Sequence, residues 1–258
     1  MGDSRGSEAG VNRLLPAFAV AAALYLGPAQ AEEIVPRQVP FAVGEKMTYA
    51  IRYKFITAGM ATMEVTDIVD CDSSRCYLIS SAAWSTGPFS LFFEVRDSVF
   101  SLMDVESLHT RHFEKHLREG NYQRDEVVVF DQEKRTATYS DGSVIDVPAE
   151  VQDVLSSLYF LRTKELSVGM TVVVQNHSDK KTYPLEIRIL RTETVTVPAG
   201  KFECLVVEPI LKASGLFQHQ GRLTVWLTKD SRLVPVMMKG RIIIGSIDAV
   251  LTEIVTGE

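Results

Sequence analysis

This sequence is short of the features that announce a chemistry. It has no G-x-S-x-G, no cysteine–histidine pair in context and no glycine-rich phosphate loop, so nothing in it declares a nucleophile or a nucleotide site. It has no basic run, and its formal net charge is −6. Nucleic-acid affinity is dominated by phosphate neutralisation, so this argues against that class of partner. Beyond residue 31 no apolar segment reaches the roughly 20 residues that span a bilayer. No internal repeat and no low-complexity stretch interrupts a globular composition.

What is present begins at the N-terminus. RLLPAFAVAAALYLGPAQAEE carries Arg13, an apolar run from Leu14 to Gly27 and the small-residue exit Ala29-Gln30-Ala31. That is the layout of a secretory signal peptide, residues 1–31, cut after Ala31. No cysteine follows the cut, which argues against a lipid-anchored form. Asp3 and Glu8 cancel Arg5 and Arg13 in the opening MGDSRGSEAGVN. A start at Val11, read as an alternative start codon, would leave the conventional VNRLLP, so Met1 and Val11 both stand as starts. An uncleaved N-terminal anchor is the alternative. Residues 32–258 are expected to form one β-rich domain located in the periplasm, with peripheral or no membrane contact, and they keep the charge of −6.

Alternation of period two recurs along that domain. In KMTYAIRYKF, Met47, Tyr49, Ile51, Tyr53 and Phe55 share one face; in TYPLEIRIL, Tyr183, Leu185, Ile187 and Ile189 do. One face buried and one wet is the pattern of antiparallel sheets. ATMEVTDIV, CYLISSAAW, DEVVVFD, MTVVVQN, GRLTVWLT and RIIIGSIDAVLTEI are further candidates, and roughly ten or eleven strands are expected, as in a sandwich or barrel. Against this background AEVQDVLSSLYFLRT, residues 149–163, reads as a helix. Val151, Val154, Leu155, Leu158 and Tyr159 form its apolar stripe, and Phe160 and Leu161 widen it. Asp146, Pro148 and Glu150 supply start signals. A helix apolar over most of its girth needs cover on several sides. The expected fold is therefore mostly β, a strongly curved antiparallel sheet or incomplete β-barrel wrapped around one central α-helix.

Cys71 and Cys76 bracket a short polar turn in VDCDSSRCYLIS, where opposed residues of a hairpin can reach disulfide geometry in an oxidising compartment. Metal or redox chemistry there would need partners that the flanking sequence does not offer. Cys204 reads as a buried small apolar residue. In HTRHFEKH a strand would put His112, Glu114 and His116 on one face, a spacing that can chelate zinc, although a solvated strand face accounts for it as well. His177 and His219 sit in polar surroundings and are assigned nothing. Asp97, Asp104, Asp125 and Asp153 are scattered carboxylates; Asp153 suits the first turn of the helix, and Arg162 its end. No catalytic residue, cofactor or cofactor-binding residue is assigned. WSTGPFSLFFEV, residues 84–95, is either core or an apolar lip over a cavity. Trp84, Phe89 and Phe92, with Leu155, Leu158 and Tyr159 of the helix, are the candidate cavity residues.

FAVGEKMTYAIRYKFITAGMATMEV, VQDVLSSLYFLR, VTVPAGKFECLVVEPIL and GRLTVWLTKDSRLVPVMMKG together resemble the bacterial family called domain of unknown function 3108 (DUF3108), over about residues 40–254. The resemblance implies an exported envelope protein of Gram-negative bacteria and carries over no catalytic residues. By analogy alone, the expected shape is similar to that of the periplasmic lipoprotein carriers, and fold does not imply function. Three function classes remain open. The first is a non-enzymatic binder of an apolar ligand, such as a lipid or lipid-modified partner. The second is a structural or interaction module of the envelope. The third is a hydrolytic enzyme, which would need a polar pocket around His112 and His116.

Overall fold

The computed structural model describes residues 39–54, 56–72, 74–210, 223–241 and 246–257. The leader, the cut at Ala31, both candidate starts, Phe55 and His219 lie outside them. Among the described residues the first eight strands are β1 (Lys46–Tyr53), β2 (Ile56–Cys71), β3 (Ser74–Ser85), β4 (Arg96–Asp104), β5 (Thr110–Glu119), β6 (Tyr122–Asp131), β7 (Thr136–Tyr139) and β8 (Val144–Asp146). A second run comprises β9 (Thr171–Ser178), β10 (Lys181–Val197), β11 (Gly200–Ile210), β12 (Leu223–Thr228), β13 (Pro235–Arg241) and β14 (Ser246–Val255). A one-turn helix α1 (Phe89–Phe92) lies between β3 and β4, and α2 (Val154–Arg162) joins the two runs.

Each run is an antiparallel meander, and the β1–β14 ladder fuses them into one sheet ordered β8-β7-β6-β5-β4-β3-β2-β1-β14-β13-β12-β11-β10-β9. The count exceeds the expected ten or eleven strands for physical reasons. RIIIGSIDAVLTEI is not one strand: Arg241 pairs with Ser246, so the stretch contributes to two antiparallel neighbours, β13 and β14. β7 and β8 are too short to show an alternation. Where strands are long the period holds; Leu185, Ile187 and Ile189 are buried while Thr182, Pro184 and Arg188 face solvent.

α2 is shorter than expected, and its start is displaced. Glu150 is held at φ +62°, a left-handed conformation that no helix interior accepts. Gln152 bonds instead to the edge strand β9, donating its N–H to the Gln175 carbonyl (2.8 Å) and accepting from the His177 N–H (2.8 Å). The cap is Asp153, not the Asp146–Glu150 segment. Its carboxylate accepts from the Leu155 and Ser156 amides, and the Ser156 hydroxyl accepts from the Asp153 amide. That reciprocal box satisfies donors the first turn would otherwise orphan.

β8 and β9, the outer strands, share no ladder. β9 is tied to the first run through side chains and through Gln152, whose side-chain amide also donates to the Leu108 carbonyl (2.7 Å). Lys115 and Arg124, from β5 and β6, both reach Asp179 in the β9–β10 turn, at 2.7 and 2.8 Å. The largest core cluster gathers Met47, Tyr49, Val65 and Ile79 with Leu155 and Tyr159 of α2. A second gathers Ile187, Ile189, Leu205 and Leu227 with Leu161. Leu158 and Phe160 pack against both clusters. Burial of Leu155 and Leu161 contributes about 1.5–3 kcal/mol each before entropy. Val151, expected on the helical stripe, belongs to a third cluster with Phe113 and Phe130, and Val154 is half exposed.

Cys71 and Cys76 form a disulfide with Cα atoms 6.0 Å apart. They are not opposed, as expected, but diagonal: Cys71 faces Ser74, and Cys76 faces Val69. Diagonal neighbours on one face of an antiparallel pair remain within side-chain reach.

Candidate functional site

Along one rim of the sheet Tyr53 pairs with Ile56 and Ile247, Trp84 with Arg96, and Glu119 with Tyr122. Beneath that rim is an apolar cavity of about 500 Å³, within the ~300–1,000 Å³ of ligand sites. Its β2–β3 wall is made of small residues, Ala58, Gly59, Ala83 and Ser85, in strands that elsewhere carry large ones. Gly59 is required sterically, because a Cβ there would collide with the Trp84 carbonyl oxygen. Small walls leave volume that neighbouring side chains do not fill. Ile51, Met60, Trp84, Val95 and Ile247 supply the apolar surface around it.

The WSTGPFSLFFEV segment covers this cavity from one side. Gly87, at φ +58°, reverses the chain, and Pro88 leads into α1. Phe93 donates its amide to the Phe89 carbonyl (2.8 Å), closing a single turn. Residues four apart on a helical turn share a face, and Phe89 and Phe93 both line the cavity. The Phe93 ring packs over Gly120, where an added Cβ would stand 3.1 Å from the ring. Leu91 and Phe92 point the other way and are 85% and 88% exposed. Arg52 and Glu119 are the charged side chains of the lining. Burial, and then the charge of Asp97, holds the Glu119 carboxyl above its ordinary value.

A family model for a protein of unknown function, DUF3108, matches residues 48–252. The chain belongs to the DUF3108 family. Its fold is similar to that of the β-barrel-like DUF1849 protein of Brucella abortus, with a TM-score of 0.55 and 9% identity over 84% of this chain and 99% of that one. A DUF1089-family protein of Pseudomonas aeruginosa aligns with a TM-score of 0.39 and 10% identity, over 70% of this chain and 89% of that one. No curated protein matches the chain.

In this DUF3108 chain the six expected cavity residues separate into three places. Trp84 and Phe89 line the cavity. Leu155 and Tyr159 are buried in the core, and Leu158 packs against both larger clusters. Phe92 faces solvent. The small-residue β2–β3 wall, with Gly59, Ala83 and Ser85, was not anticipated. The signal available for it was the pair of small-residue runs, TAGMAT and SSAAWS, in otherwise bulky strands.

His112, Glu114 and His116 do share a face of β5, and Glu114 bridges them, its two oxygens 2.7 Å from His112 Nε2 and 3.4 Å from His116 Nε2. His116 Nδ1 lies 2.8 Å from Asp125, which Arg118 also holds. The resulting chain is a partly exposed hydrogen-bonded network. Among the described residues no group of three or more histidine, cysteine, aspartate or glutamate side chains is arranged to hold a metal ion.

The DUF3108 core also contains buried polar groups. His177 is 2% exposed. The Tyr139 hydroxyl accepts from the Lys180 amide (2.9 Å) and hydrogen-bonds with His177 Nε2 (2.7 Å), while Nδ1 of the same ring hydrogen-bonds with the Thr182 hydroxyl (2.7 Å). Burial pushes this imidazole down to about 4, so it is neutral at physiological pH. Asp153 is fully buried, and burial raises its carboxyl despite hydrogen bonds from Ser101 (2.6 Å) and Thr110 (2.8 Å). Its partners all cap or anchor α2, consistent with a role at the helix start. Cys204 is buried, as expected, and burial first, then nearby carboxylates, lifts its thiol to about 11.

Proposed function

We propose that this protein is an exported, non-enzymatic binder of an apolar ligand, with the acyl chain of a lipid as the occupant of the cavity beneath α1. The observation that carries the reading is the cavity itself: about 500 Å³, apolar, and roomy because its β2–β3 wall is built from Ala58, Gly59, Ala83 and Ser85. Arg52 is the cation in the lining and suits a ligand with an acidic head. Export to the periplasm is supported by the leader pattern of residues 1–31 and by a disulfide, which persists in an oxidising compartment. In this reading the curved sheet encloses α2 as a central post, supported by the packing of Leu158 and Phe160 against both core clusters. The ligand then sits beside the helix-filled core, at the rim, rather than between helix and sheet.

The test is lipid mass spectrometry of protein made in its own compartment, joined to titration of purified, delipidated protein with the fluorescent fatty acid cis-parinaric acid. Acyl lipid should co-purify with the wild type. Ala83→Phe, which fills the wall, should weaken parinarate binding at least about tenfold, the effect of about 1.4 kcal/mol. No recovered lipid together with equal binding by both proteins would overturn the proposal.

A further inference from the structure

The rim above the cavity differs in chemistry from the opposite ends of the same strands. At the rim, Ile56, Leu91, Phe92, Phe93 and Tyr122 are each at least half exposed, and Trp84 and Ile247 are also open to solvent. They come from the adjoining ends of β2, β3, β6 and β14 and from the β3–β4 connection, which are contiguous because β6 through β1 and then β14 are neighbours. At the other ends the turns present Asp72, Glu106, Glu133, Lys134, Lys229 and Arg232 instead. Scattered exposed apolar residues are ordinary, but a contiguous patch confined to one rim is the mark of an interaction surface.

Charge at this rim selects the partner. Arg52, Lys54 and Arg241 have no carboxylate partner among the described residues, whereas Glu94 is paired with Arg96, and Asp125 with Arg118. Glu119 and Asp97 are the carboxylates there without a cation partner among the described residues. The unpaired charge beside the apolar tips is therefore three cations against two carboxylates, a small cationic excess that complements anionic headgroups. Trp84 and Tyr122 are the aromatic types whose apolar body and polar edge suit a membrane–water boundary. Among the described residues no helix is long and apolar enough to cross a bilayer, so contact would be made by turn tips at the surface.

We infer that this rim docks on the surface of an anionic lipid bilayer, with Leu91 and Phe92 of α1 inserted among the lipids and Arg52, Lys54 and Arg241 against their headgroups. The inference deepens the proposed function by placing the acyl cavity beneath the docking rim, so that a chain could pass between bilayer and protein without crossing water. Docking itself requires only the rim.

Flotation of the purified protein with vesicles of phosphatidylethanolamine and phosphatidylglycerol tests it, with phosphatidylcholine vesicles alongside. The wild type should float with the anionic vesicles. Leu91→Ser/Phe92→Ser should lower its partition coefficient at least about tenfold, because each large apolar side chain withdrawn from water is worth about a decade in equilibrium. Arg52→Gln/Lys54→Gln should lower partition onto the anionic vesicles and leave the weaker partition onto phosphatidylcholine unchanged. Val173→Ser, an exposed apolar position on the edge strand β9, should float as the wild type does. Ala83→Phe should lose parinarate binding and keep flotation; a wild type that floats without binding parinarate fails the cavity reading alone, and one that binds parinarate without floating fails docking alone. Wild-type protein that stays in the soluble fraction, or a Leu91→Ser/Phe92→Ser variant that floats unchanged, overturns docking. So does a wild-type dimer by light scattering that the same variant converts to monomer without change in flotation, since the rim would then cover a second copy of the chain.

Discussion

Arg162 and Glu45 form a two-pronged ion pair in the interior, Nη1 to Oε1 at 2.7 Å and Nη2 to Oε2 at 2.8 Å, across 117 residues of sequence. The pair joins the last turn of α2 to the lead-in of β1. Arg162 also donates from Nε to the Arg232 carbonyl (3.1 Å), and its guanidinium lies over the rings of Tyr159 and Phe41. Three separated segments therefore meet at one side chain. A buried charge that loses its partner is far more damaging than the loss of the whole pair. Glu45→Gln should lower unfolding free energy by about 3–5 kcal/mol. Glu45→Leu/Arg162→Met should recover much of it, both by urea denaturation. Equal losses for single and double variants would show that the pair itself, not its uncompensated charge, matters.

His177 makes stability depend on pH in one direction. Its folded value, about 4, lies below the ordinary 6.5. Between these values the unfolded chain binds a proton that the folded chain refuses, so stability is complete above about 6.5 and falls as pH drops toward 4. The loss should be on the order of 2–3 kcal/mol, and it should shrink in His177→Gln. Urea midpoints measured from pH 7 to 4 provide the check, and parallel curves for the two proteins would remove His177 as the cause.

The disulfide encloses a short loop, with cysteines 5 apart in sequence. Loop closure of this length stabilises by about 2 kcal/mol. Cys71→Ser/Cys76→Ser should unfold at correspondingly lower urea, and reductant should bring the wild type to the same midpoint without affecting the variant. Free thiols at both positions in protein recovered from its own compartment would contradict the bond.

Gly59→Val should be more harmful than its position near a strand end suggests. Its side chain would meet the Trp84 carbonyl, part of the backbone that cannot swing aside. The β2–β3 ladder would have to open beside the cavity, at about 1–3 kcal/mol. Parinarate binding should fall with it. A variant as stable as the wild type would mean that this end of the ladder yields easily.

Much of this architecture was legible in the chain because alternation is a local property. Tyr183, Leu185 and Ile187 announce which face of β10 is buried without any knowledge of its neighbours. The helix was legible too, but its start was not. Residues 149–153 carry helix-compatible side chains, and what stops them is Gln152 reaching β9, a contact decided only when the edge strand arrives. The same limit applied to Arg162. On sequence it suits the end of a helix; in the fold it is buried, where it pairs with Glu45.

Sequence by itself determined the β-rich class, the mid-chain helix, the cysteine pair and the aromatic segment at 84–95, since each depends on residues within a few positions of one another. Tertiary structure alone decided where empty volume lies. The cavity exists because small residues of β2 and β3 come into register beneath Phe89 and Phe93. Register between distant strands is set by the packing of the whole sheet and by turn geometry, which no single stretch encodes.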